Sequence, residues 1–163
     1  MGANEILINL LEHQRGVLAR LRELIDEERS CILDSKIHRL QEIVEEQKLV
    51  LAEQARLSTQ IIRLLDRIGN QIHSEETFSL SMVIQYLPEP SASTVANYQR
   101  ELATALIEIQ REGRINWYLA QQALKYVDFT LRLISNNGTP QTYQARPQSE
   151  PRRSVRLLMD SCA

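Results

Sequence analysis

Between Leu7 and Ile32 eight positions spaced alternately four and three residues apart read Leu7, Leu11, Gln14, Leu18, Leu21, Ile25, Glu28 and Ile32. A seam of period 3.5 is apolar along one edge of an α-helix and can be satisfied only by another helix laid nearly parallel to it. A second row, Leu10, Val17, Leu24 and Cys31, widens the stripe to three apolar residues per heptad. That width suits a helix packed against two neighbours, because one partner leaves part of it wet. Two further seams follow. One passes through Ile37, Leu40, Val44, Gln47, Leu51, Gln54, Ser58, Ile61, Leu65, Ile68 and Ile72, with Ile43, Val50, Leu57 and Leu64 beside it. The other runs from Val95 through Leu102, Ile109, Asn116, Leu119 and Tyr126 to Leu133. Three seams predict an all-α fold, an elongated antiparallel bundle of three long helices.

The joints between the seams are short. Asp34 and Ser35 are read as N-caps of the second helix, whose short oxygen-bearing side chains accept from free N–H groups. The first two helices then form an antiparallel hairpin, in competition with one helix running straight through Asp34. Gly69-Asn70 ends the second helix near Ile68 or soon after. A short helix is expected over 74–87, capped by Ser74 or Thr77, before Pro88-Glu89-Pro90-Ser91 breaks the chain. Ser135-Asn136-Asn137-Gly138-Thr139-Pro140 stops the third long helix. Residues 1–138 are therefore expected to be the bundle and residues 139–163 a mobile tail, locally basic through Arg152, Arg153 and Arg156.

Composition narrows the function. In 163 residues there are 19 basic and 21 acidic side chains, a net charge of −2. That balance argues against a nucleic-acid binder working by phosphate neutralisation. The two cysteines, Cys31 and Cys162, have no metal or redox spacing, and Cys31 in the flanking apolar row reads as a small core side chain. No basic stretch leads into a solid apolar run, so neither a signal peptide nor stable membrane insertion is expected, and the chain reads as cytoplasmic. Bundle enzymes place Glu-x-x-His pairs inward around metals, but the residues three before His13, His38 and His73 are Leu10, Ser35 and Asn70. Phosphate loops, nucleophile elbows and zinc helices are missing too, so no catalytic residue, metal or cofactor is expected. The histidines read as helix-surface residues. The polar seam residues Gln14, Glu28, Gln47, Gln54 and Asn116 are read first as register-setting, with an opening for another helix as the alternative.

Residues 114–134 depart from an ordinary bundle helix. At ~100° per residue, Arg114, Gln121, Lys125, Asp128 and Arg132 share a strip roughly 60° wide, and apolar side chains take most of the remainder. Trp117, Leu124 and Leu131, seven residues apart, form a row beside the seam, with Tyr118 and Phe129 on the opposite flank. Two explanations stand: the short helix 74–87 covers the excess, or the surface awaits a partner that lays an amphipathic helix along it.

The break at Leu33-Asp34, the Glu46-Gln47-Lys48 run, Asn116-Trp117-Tyr118-Leu119 and Leu131-Arg132-Leu133 leading to Thr142-Tyr143 resemble the FlgN-type flagellar export chaperones. Gln144-Ala145-Arg146-Pro147 departs from the glycine that usually follows Thr-Tyr in that family. The resemblance implies a cytoplasmic chaperone of hook-associated proteins, the hook-filament junction proteins, in flagellar type III export. It implies that the C-terminal half of the third helix holds the cargo, which makes the surface residues Trp117, Tyr118, Leu124, Phe129 and Leu131 the expected cargo-binding set, and that Tyr143 takes part in docking to the cytoplasmic domain of the export gate. Rival readings are a structural coiled-coil or tethering protein forming a homo-oligomer, and a bundle enzyme, disfavoured by its missing ligand motifs.

Overall fold

A computed structural model of the chain describes residues 2–71 and 79–136. They form α1 (Ala3–Leu33), α2 (Ile37–Gln71), α3 (Leu80–Tyr86) and α4 (Ser91–Asn136), with no strand among the described residues. Cross-helix ion pairs give the directions. Against rising α1 numbers the α2 numbers fall, from His13–Glu53 at 3.6 Å through Arg20–Glu46 to Arg39–Glu27, both at 2.8 Å, so α1 and α2 form the expected antiparallel hairpin. The α4 numbers rise with α1, from Arg15–Glu101 at 3.5 Å to Arg22–Glu108 at 2.7 Å and then Arg29–Glu112, so α4 runs parallel to α1. The central helix is α1, which packs on both others, while the α2 and α4 backbones do not come within packing distance of each other. Its double-width stripe thus has the two neighbours it requires.

The core narrows along the molecule. At the end away from the hairpin turn, Leu7, Leu11 and Leu18 meet Ile61, Leu64 and Leu65 of α2, Val83 of α3, and Val95 and Leu102 of α4. Each such side chain contributes roughly 1.5–3 kcal/mol when fully buried. Near the turn the core shrinks to Leu24, Cys31 and Ile43, supplied by α1 and α2 alone. Cys31 is buried there, as expected.

The turn corrects the assignment of Asp34 and Ser35 as N-caps. Asp34 is the C-cap of α1. Ser35 follows in the left-handed region at φ 57°. The Lys36 N–H donates to the Cys31 carbonyl at 2.9 Å and the Ser35 N–H to the Ile32 carbonyl at 3.3 Å. That is the Schellman arrangement, which satisfies the last carbonyls of a helix and usually places glycine where Ser35 stands. The short helix is also corrected: Ser79, extended, accepts from the Met82 N–H through its side chain, so α3 begins at Leu80. The assigned caps Ser74 and Thr77 lie outside the described residues, as do His73, Tyr143 and the whole of 137–163. At the start of α4 the Glu89 carboxylate accepts from the Ser93 N–H at 3.4 Å and its hydroxyl at 2.7 Å, a favourable charge at the positive end of a helix.

Candidate functional surface

The third seam is covered for only part of its length. Val95 and Leu102 are buried, and so is Asn116. Beyond Leu119 and Ala120, half-buried, the helix runs past the end of α1 at Leu33, and its seam residues Tyr126 and Leu133 are exposed. At ~1.5 Å per residue the overhang from Ala120 to Asn136 is ~25 Å long.

All five side chains singled out from the sequence lie on or beside this overhang. Trp117, Tyr118, Leu124, Phe129 and Leu131 are each 58–65% exposed. Tyr126, Val127 and Ile134 join them. Contiguous apolar exposure of this kind marks interaction surfaces. Of the two explanations offered above, coverage by the short helix does not hold. Helix α3 packs on the opposite end of α4, where Gln99 Nε2 donates to Ser81 Oγ at 2.8 Å and Val83 and Val95 belong to the same core.

A polar cluster marks the point of departure. The buried Asn116 amide donates through Nδ2 to the Ile25 carbonyl at 2.7 Å and to Glu28 Oε2 at 2.8 Å. Its Oδ1 accepts from Arg29 Nε at 3.0 Å, and Arg29 pairs with Glu112 one turn back on α4. Glu28 Oε2 also accepts from Gln47 Nε2 at 3.2 Å, which ties α2 into the same cluster. The Arg29 guanidinium, hydrogen-bonded to Glu112, holds that carboxyl below its ordinary value, outweighing partial desolvation. Gln14 and Gln54 both donate to Ser58 Oγ at 3.5 Å, so four of the five polar seam residues pair across helices and the fifth, Gln54, within α2. Cross-helix pairing of this kind is what a register-setting role requires, the first of their two readings.

One residue of this surface has no signal in the sequence pattern. Arg29 lies one place past the seam and is visible only as half of a charge pair with a residue 83 positions away. Leu33 and Ile37, at the hairpin turn, are 65% and 60% exposed although each sits at the end of an apolar pattern. Only their position beside a tight turn hinted at this.

What the surface offers is exposed apolar and aromatic side chains that a partner can bury. Among the described residues no group of three or more His, Cys, Asp or Glu is placed to hold a metal ion. His13 and His38 are on helix surfaces. No described helix is long and apolar enough to cross a membrane.

Neither a curated protein nor a solved structure matches the chain. The family model described as FlgN protein matches residues 1–151, which takes in every described helix and the Thr142-Tyr143 pair. With the match running over nearly its whole length, the chain belongs to the FlgN family, the flagellar export chaperones for hook-associated proteins.

Proposed function

We propose that this chain works in the cytoplasm, holds terminal amphipathic helices of hook-associated proteins along the α4 overhang, and shields them from premature assembly and degradation. It then delivers them to the cytoplasmic domain of the flagellar export gate, with Tyr143 taking part in docking. The observation that carries the reading is the exposure of Trp117, Leu124 and Leu131 in one row on a helix that the bundle no longer backs. Covering about 600 Å² of apolar surface supplies a gross ~15 kcal/mol at 25 cal/mol/Å². Ordering and association costs of about 4–15 kcal/mol cancel much of it, leaving the moderate, reversible affinity that delivery requires.

The test replaces Trp117, Leu124 and Leu131 by Ala together. Binding of hook-associated proteins should fall sharply with helicity unchanged, and retained binding rejects the surface. Tyr143→Ala should leave cargo binding intact and weaken capture by the gate domain. A chain that stays dimeric or trimeric on dilution and ignores hook-associated proteins would favour the structural coiled-coil reading.

A further inference from the structure

The α4 overhang is apolar over a wider arc than one helix covers. At ~100° per residue, Trp117, Leu124 and Leu131 fall in one sector and Tyr126, Phe129 and Leu133 in another, roughly on the opposite side. All six are exposed. On one side the charged strip of Lys125, Asp128 and Arg132 separates the sectors. On the other side they are joined through Ala120, Ala123 and Thr130, in line with the face of Asn116 that α1 occupies upstream. An amphipathic helix buries a stripe ~100° wide against its neighbour, so one docked helix leaves one of the two sectors wet.

The same molecule shows how such a width is filled. Helix α1 carries a stripe of three apolar residues per heptad and is flanked by two helices, α2 and α4, whose Cα atoms stay more than 8 Å from each other. Beyond the hairpin turn no described residue fills the space beside α4 that α1 fills upstream, and residues 122–129 and 131–135 are exposed. The end of the hairpin that bounds this space is apolar. Leu33 lies one turn past Arg29 on the α4 side of α1, and Ile37 opens α2. Area points the same way: one helix along ~25 Å of α4 buries on the order of 800 Å² over both partners, below the ~1,200–2,000 Å² of a stable interface, whereas two bury about 1,600 Å².

We infer that the α4 overhang takes two helices from a single partner chain, one on Trp117, Leu124 and Leu131, the other on Tyr126, Phe129 and Leu133. They flank, on its two sides, the line of the α4 face that α1 occupies upstream, with Leu33 and Ile37 at the end of the hairpin that bounds them. This rests on the cargo reading above and adds to it the second face and the two-helix form of the bound segment.

The experiment uses the full chain with an intact hook-associated protein. A photo-crosslinking amino acid replaces Leu124 in one sample and Phe129 in another, and the attached peptides are identified by mass spectrometry. The two positions should capture two different helical segments of the same cargo chain in a one-to-one complex. In parallel, the triple variants Trp117→Ala, Leu124→Ala, Leu131→Ala and Tyr126→Ala, Phe129→Ala, Leu133→Ala should each raise Kd at least about tenfold with far-UV helicity retained. The inference is overturned, and the cargo reading kept, if the second triple variant binds within twofold of wild type. The same holds if both positions capture one segment, or if position 129 captures a second copy of this chain or its own residues 137–163. If no complex forms, or if both triple variants bind like wild type, the cargo reading fails and takes the inference with it.

Discussion

Asn116→Ala tests what fixes α4 to the hairpin. The substitution removes three hydrogen bonds: to the Ile25 carbonyl, to Glu28 and from Arg29, at 2.7, 2.8 and 3.0 Å. The Ile25 carbonyl sits inside α1 and keeps its helical partner, so its loss costs little. The other two bonds involve charged groups, worth about 1.5–3 kcal/mol each when intact. Both ions retain a second partner, Gln47 for Glu28 and Glu112 for Arg29, and both are only partly buried, so water recovers some of the loss. A net destabilisation of about 2–3 kcal/mol follows, near the lower end of that range for two bonds. For a chain of this size that lowers Tm by about 5–10 °C. Urea unfolding followed by circular dichroism at 222 nm measures it, with Asn116→Leu as the companion variant. Leucine restores volume without hydrogen bonds and should be nearly as destabilising as alanine. A loss under about 0.5 kcal/mol for Asn116→Ala, or recovery of wild-type stability by leucine, would show that packing and not the polar cluster holds the helix.

Other outcomes follow from the same structure. Ser35→Gly relieves a left-handed residue that carries a Cβ and should stabilise by about 0.5–1 kcal/mol in the same assay, the gain being tempered by the greater freedom of glycine in the unfolded chain. Leu11→Ala, in the closed core, should cost about 2–5 kcal/mol, whereas Leu124→Ala on the overhang should stay within about 0.5 kcal/mol of wild type. Equal losses at the two positions would mean that the overhang is covered. The Glu112 carboxyl is held below its ordinary value of 4.5, so it contributes stability above that pH and loses it as the pH falls through its lowered folded-state value. Glu112→Gln should therefore flatten the acid limb of a stability–pH profile and leave its shape above pH ~5 unchanged.

Periodicity alone disclosed the helices, the hairpin and the surplus of apolar side chains after Arg114, because a seam of period 3.5 states its need for neighbours residue by residue. It could not state who the neighbours are. The third seam reads the same through Val95 and Leu102, which are buried, as through Tyr126 and Leu133, which are not. What differs is where α1 stops, a fact about another part of the chain. The turn misleads for a local reason: Ser35 adopts the conformation that glycine usually advertises, so in the sequence the C-cap of α1 reads as the N-cap of α2. The polar seam residues were seen individually, but Asn116 and Glu28 are 88 positions apart, and only the parallel register of α1 and α4 makes them partners.

The parallel course of α4 beside α1 makes the overhang a cantilever, a beam clamped at Asn116 and supported by no described residue beyond it. A stretch of 17 residues cut loose would be barely helical in water, since an isolated helix must bear a costly nucleation step. Grown from a clamped root, it needs only propagation, and any melting starts at the tip and works inward. The grip offered to an incoming chain is therefore shaped beforehand near the root and soft toward the end. Catching can begin on the stiff part, and letting go can begin on the loose one.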